Sequence, residues 1–97
     1  MTRTQDMAIA QKRAGAQFGL TPAQTETVFF AGQYGFSWGK VDNILVFSIG
    51  IEKANDIVQT NFGHFMAKLQ EKYGMSVGGP VIERGMLACT AEERGAP

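Results

Sequence analysis

His64 is the only histidine in this chain and Cys89 the only cysteine, so acid–base and thiolate chemistry have one candidate each. A catalytic histidine needs a nucleophile or an orienting carboxylate within hydrogen-bond reach. On a helix through His64 the ring points away from Phe62 and Leu69, toward Thr60 and Lys68, and Glu71 is merely a neighbour on that face. A surface residue is the simpler reading. Cys89 follows Met86-Leu87-Ala88, an apolar setting that raises a thiol's pKa and leaves it inert. A lone cysteine also excludes an intramolecular disulfide and a cysteine-based zinc site. Acidic residues stand singly apart from Glu92-Glu93, so neither a paired-carboxylate site nor a metal cage is signalled. Gly32, Gly35, Gly39 and Gly78-Gly79 match no phosphate-binding or dinucleotide fingerprint. No catalytic residue, metal ligand or cofactor is expected, which argues against an enzyme.

The residues with most binding potential are aromatic. Tyr34, Phe36 and Trp38 alternate with Gly35, Ser37 and Gly39, the period-two pattern of a strand. Aromatic rings at alternate strand positions can stack on bases or sugars. They can equally pack a core or anchor a protein interface. Only Lys40 adds positive charge nearby, which favours packing or an interface over nucleic acid. Ile57 falls outside the main apolar stripe of its helix and, with Ala54 and Asn61, widens that stripe toward a second contact. The expected interface residues are therefore Tyr34, Phe36, Trp38 and Ile57.

The 97 residues suit a single domain, 1–97, without internal repeat or linker. An apolar fraction of 44% is that of a folded globular chain. Nine basic and nine acidic residues cancel, so the basic excess that drives phosphate binding is missing. No apolar run approaches the ~20 residues of a membrane span, and charges interrupt Thr2–Gln17 where a signal core would lie. A soluble cytoplasmic protein, neither membrane-bound nor nucleic-acid-binding, is the expectation.

The elements that position these residues centre on Ile44–Tyr73. Ile44–Ile51 is an eight-residue apolar run rich in β-branched side chains and reads as a strand. Leu45, Phe47, Ile49 and Ile51 share the face expected to meet a helix, and Ile44, Val46, Ser48 and Gly50 share the other. From Ala54 the period changes: Val58, Phe62, Phe65, Leu69 and Tyr73 form one stripe of a long helix, and Gly74 stops it. Upstream, Thr2–Phe18 reads as a helix of small residues stopped by Gly19. Thr21-Pro22-Ala23-Gln24 carries a capping box that starts a second helix running to about Gly32. Tyr34–Gly39 and Ile44–Ile51 then form a hairpin across Asp42-Asn43. Downstream, Gly78-Gly79-Pro80 reads as a loop and Val81–Cys89 as a third strand or a hairpin bent at Arg84-Gly85. Thr90-Ala91-Glu92-Glu93 repeats the capping-box pattern.

These elements predict a small α+β domain, in the order α-α-β-β-α-β, with an antiparallel sheet packed on one long helix. A mainly α fold is the alternative if Ile44–Ile51 continues into the helix. The functional expectation is a non-enzymatic protein–protein interaction module that self-associates, as a homodimer or with another protein. A small inhibitor or regulator docking on a larger enzyme or nucleoprotein complex is one concrete form. The alternative is a small-molecule binder or enzyme with a pocket between the aromatic strand and the long helix, using Tyr34, Trp38 and His64 as polar handles.

Overall fold

The structure is a computed structural model, and it describes residues 12–56 and 62–94. Helix α1 is described over residues 12–18 and α2 spans Pro22–Gln33. Strands β1 (Ser37–Val41) and β2 (Ile44–Gly50) follow, then helices α3 (Ile51–Asp56) and α4 (Phe62–Glu71), then strands β3 (Met75–Glu83) and β4 (Met86–Glu93). The four strands form one antiparallel sheet in the order β1-β2-β4-β3. The fold is α+β, and the mainly helical alternative fails because Ile44–Gly50 is a strand.

Local chemistry sets most of these boundaries. Thr21 caps α2 through the full capping box: its hydroxyl accepts the Gln24 backbone N–H at 3.1 Å, and Gln24 Oε1 accepts the Thr21 backbone N–H at 3.1 Å. Gln24 is buried, and its amide also donates to the Asn43 carbonyl at 3.0 Å. The side chain that starts α2 thereby holds the turn between β1 and β2. Helix α1 ends at Gly19, where the Leu20 N–H reaches back to the Gly15 carbonyl at 2.8 Å.

The same six-to-one closure ends α2 and corrects the expected strand over Tyr34–Gly39. Gly35 takes φ +85, its N–H donates to Gly32, and the Phe36 N–H donates to the Ala31 carbonyl at 3.0 Å. Tyr34-Gly35-Phe36 is therefore a helix cap, with glycine at the left-handed position that a side chain would strain. The strand begins only at Ser37, and the cap turns Phe36 inward.

Alternation does hold in β2. Leu45, Phe47 and Ile49 are buried, while Ile44, Val46, Ser48 and Gly50 are half-buried on the other face. Ile51 is not the end of this strand, as expected, but the first residue of α3. The helix expected over Ala54–Tyr73 is described as two, Ile51–Asp56 and Phe62–Glu71, and Val58 lies outside the described residues. The chain downstream supplies two long strands. Gly78-Gly79-Pro80 belongs to β3, where the pairing register shifts between Gly78 and Val81. Thr90–Glu93 extends β4 instead of capping a helix, and Arg84-Gly85 is the bend between the two strands.

Phe65 organises the core. Its ring stacks on Phe36 (centroids 4.0 Å, planes 15° apart) and on Phe30 (5.6 Å), and meets Phe47 edge-on at 5.5 Å. One residue of α4 thus joins α2, its cap and β2. Truncating Phe65 to alanine should destabilise the fold by about 3–5 kcal/mol. Gln70→Ala, on the exposed side of the same helix, should change stability by about 0.5 kcal/mol or less. Urea unfolding of both variants checks this, and equal effects would contradict the placement of Phe65.

Candidate functional site

The three expected interface residues that are described, Tyr34, Phe36 and Trp38, do not form one surface. Phe36 is 5% exposed and occupied by the core stack. Tyr34 sits at the end of α2, half-buried, with its ring 5.0 Å from Phe30. Trp38 alone lies in β1. It pairs with Phe47 and so points to the helix side of the sheet, where Phe18 meets it edge-on at 5.6 Å. Ile57 lies outside the described residues. His64 is exposed on α4.

Trp38 lines a cavity of about 530 Å³ between α1, α2 and β1. Phe18 and Leu20 contribute from the end of α1, Phe29 and Gly32 from α2, and Phe36 from its cap. The cavity is not where a pocket was expected: it lies between the first two helices and β1, and neither Tyr34 nor His64 lines it. Gln33 is the one hydrogen-bonding side chain on its wall apart from the Trp38 indole. Its shape and apolar lining can take up an apolar group but hold no set of groups for bond-making. The missed signal is Phe29-Phe30. Neighbouring residues on a helix point about 100° apart, so Phe30 enters the core and Phe29 must cover something else.

The second feature is the sheet face away from the helices. Pair register puts Val41, Ile44, Val46, Ser48, Gly50, Met86, Ala88, Thr90 and Val81 on it. Its centre carries no charge, and the acidic residues Glu83 and Glu92 stand at its ends. Val41 is 63% exposed and Val81 57% exposed. Its visible signal was the alternation Ile44-Leu45-Val46-Phe47, which placed one apolar residue on each side of the sheet in turn.

Among the described residues, no group of three or more His, Cys, Asp and Glu side chains is placed to hold a metal ion. No described helix is long and apolar enough to cross a membrane. Cys89 is buried in β4, and desolvation pushes its thiol pKa up to about 11. No known protein family, curated protein or solved structure gives a significant match to this chain.

Burial of Cys89 has a direct chemical consequence. Thiol reagents attack the thiolate, and a pKa near 11 keeps its population at neutral pH roughly 100-fold or more below that of an open thiol. Modification by a maleimide or aromatic disulfide at pH 7.5 should therefore be at least about 100-fold slower in native protein than in urea. Rapid native labelling would show that β4 opens or that the thiol is accessible.

Proposed function

We propose that the protein is a non-enzymatic protein–protein interaction module that works as a homodimer. The observation that carries this reading is the one-sided cover of its sheet. Helices bury Leu45, Phe47 and Ile49, while the opposite face leaves Ile44, Val46 and Ala88, interspersed with Ser48 and Thr90, without a described layer over them. Contiguous apolar surface of this kind marks contact sites on soluble proteins, and two-fold pairing of identical chains is the commonest closed assembly. A small core also gains proportionally more from added burial than a large one. A regulator that docks on a larger enzyme or nucleoprotein complex would use the same architecture, with the sheet as its platform. Sedimentation velocity across a concentration series should give a species of twice the 10.5 kDa chain mass at tens of micromolar. A single monomeric boundary at high micromolar concentration would overturn self-association.

A second reading has its own observation, the cavity at Trp38. An open cleft of about 530 Å³ with an apolar lining falls in the range of small-molecule sites. Trp38 is the only tryptophan, so its fluorescence reports on that wall alone. Titration with a medium-chain fatty acid should give a saturable emission change under this reading, at a midpoint in the micromolar range. An unchanged spectrum up to the solubility of the probe would reject it.

A further inference from the structure

The geometry points to a specific seam for the homodimer: two β1 strands pairing antiparallel about a two-fold axis at Gly39, so that two four-stranded sheets become one of eight strands. This inference rests on the self-association proposed above but places the contact at the β1 edge of the sheet, so the open sheet face remains available to a further partner.

The hydrogen-bonding groups of β1 set the register. Asp42-Asn43 is a two-residue connection between Val41 and Ile44, which are directly paired. A turn of this kind is closed by a bond from the Ile44 N–H to the Val41 carbonyl. Bonded and non-bonded pairs then alternate along an antiparallel ladder. Gly39 with Val46 and Ser37 with Ser48 are accordingly bonded pairs, and the backbone groups of Trp38 and Lys40 point away from β2. No described strand meets them there. An antiparallel second β1 centred on Gly39 sets each Trp38 against Lys40 of the other copy. Four backbone hydrogen bonds form, two to each side of the axis. The two Gly39 residues then face each other in the close, non-bonded pairing, with Cα atoms about 4.5 Å apart.

The side chains agree with this register. Trp38 and Lys40 both point to the helix side, since they pair with Phe47 and Leu45. A lysine at a sheet edge ordinarily discourages strand addition. Here, however, the Lys40 ammonium bends back and donates to the Gly19 carbonyl, so it does not project across the edge. Its aliphatic stem then stands on the same face as the Trp38 of the other copy, directly opposite across the seam, where the two side chains can pack against each other twice by the symmetry. Beside this seam, on the helix side, lie Phe18, which is 56% exposed, and the apolar cavity. A five-residue ladder alone falls short of the roughly 800 Å² per partner of a stable interface, and these rings supply further apolar area next to the axis. The opposite edge of the sheet is unsuited to the same role. Pro80 in β3 has no N–H to donate, and the register shift between Gly78 and Val81 interrupts its ladder.

Two variants and a cross-link test the seam. A side chain at Gly39 meets nothing within 4 Å in the single chain, so Gly39→Cys is sterically free. Under mild copper–phenanthroline oxidation the Gly39→Cys protein should form a symmetric disulfide dimer in high yield, because the expected Cα separation lies in the ~4.4–6.8 Å disulfide window. Val46→Cys, on the same face but three strand spacings, roughly 14 Å, from its symmetry mate, should not. Buried Cys89 contributes no background. Lys40→Pro removes an outward N–H while sparing the bonds to β2, and should shift dimerisation to at least tenfold higher concentration with circular dichroism unchanged. If Lys40→Pro does not fold, the pair of cysteine variants decides. A wild-type dimer in which Val46→Cys cross-links and Gly39→Cys does not would overturn the edge seam and leave a face-to-face dimer. A wild-type monomer without cross-linking at either position would overturn self-association as well.

Discussion

The stacking of Phe65 is the constraint on which the rest of the molecule depends. An aromatic pair with centroids 4.0 Å apart and nearly parallel planes, as Phe65 and Phe36 form, leaves no space for solvent between the rings. Phe36 reaches that position only because the α2 cap places Gly35 in the left-handed region and reverses the chain. Phe65 reaches it only because α4 lies across the buried side of β2, where Phe47 meets it edge-on. Three local choices therefore meet at one contact: a glycine cap, the helical stripe of Phe62, Phe65 and Leu69, and the alternation of β2. Each has modest energy alone. Together they decide which side of the sheet is inside, and therefore which side is left open.

That decision explains why the chemistry-bearing residues are quiet and the apolar surfaces informative. The buried polar groups are spent on holding elements together. Gln24 satisfies the start of α2 and the carbonyl of Asn43, Thr27 donates to the Gln24 carbonyl at 2.8 Å, and Thr25 donates to the Thr21 carbonyl at 2.9 Å. The described buried side chains have no unsatisfied nitrogen or oxygen. A strained or orphaned polar group is a common mark of a reactive site, and the burial of Cys89 moves its thiol away from reactivity. By contrast, the sheet face, the β1 edge and the Trp38 cavity retain surface that the fold does not use.

The legible parts of the sequence were those written in strictly local code. The α2 start was readable because the capping box is a contact among four consecutive residues. The inward and outward faces of β2 were readable because pleating fixes side-chain direction with a period of two. The aromatic stretch was misread because Gly35 serves two languages at once: glycine between aromatics fits a strand, yet the same residue is the preferred left-handed cap of a helix. Its closing bonds depend on Ala31 and Gly32 already being helical, which a strand template does not consider. Gly78-Gly79-Pro80 was misread for the opposite reason. Those residues break ladders locally, but at a sheet edge a broken ladder is tolerated, and β4 holds the segment in place. The cavity at Trp38 was invisible in principle, since its walls come from three elements and only their packing encloses it.

The polar connections around α2 bear on what the free surfaces can do. Thr21 accepts the Gln24 N–H with the same hydroxyl that donates to the Glu93 carboxylate at 2.6 Å, so the start of α2 is tied to the end of β4. Gln24 ties it to the β1–β2 turn. One helix terminus thereby fixes two adjoining hairpins at the same end of the sheet, and the turn end of β1, an edge strand of five residues, is held by a buried amide at Asn43 and by the Lys40 bond to Gly19. Short edge strands usually fray, and ordering one on contact costs conformational entropy that subtracts from affinity. A strand already fixed at two points escapes much of that cost. The same bonds that complete the fold therefore order the turn end of β1, the described sheet edge whose ladder is not interrupted.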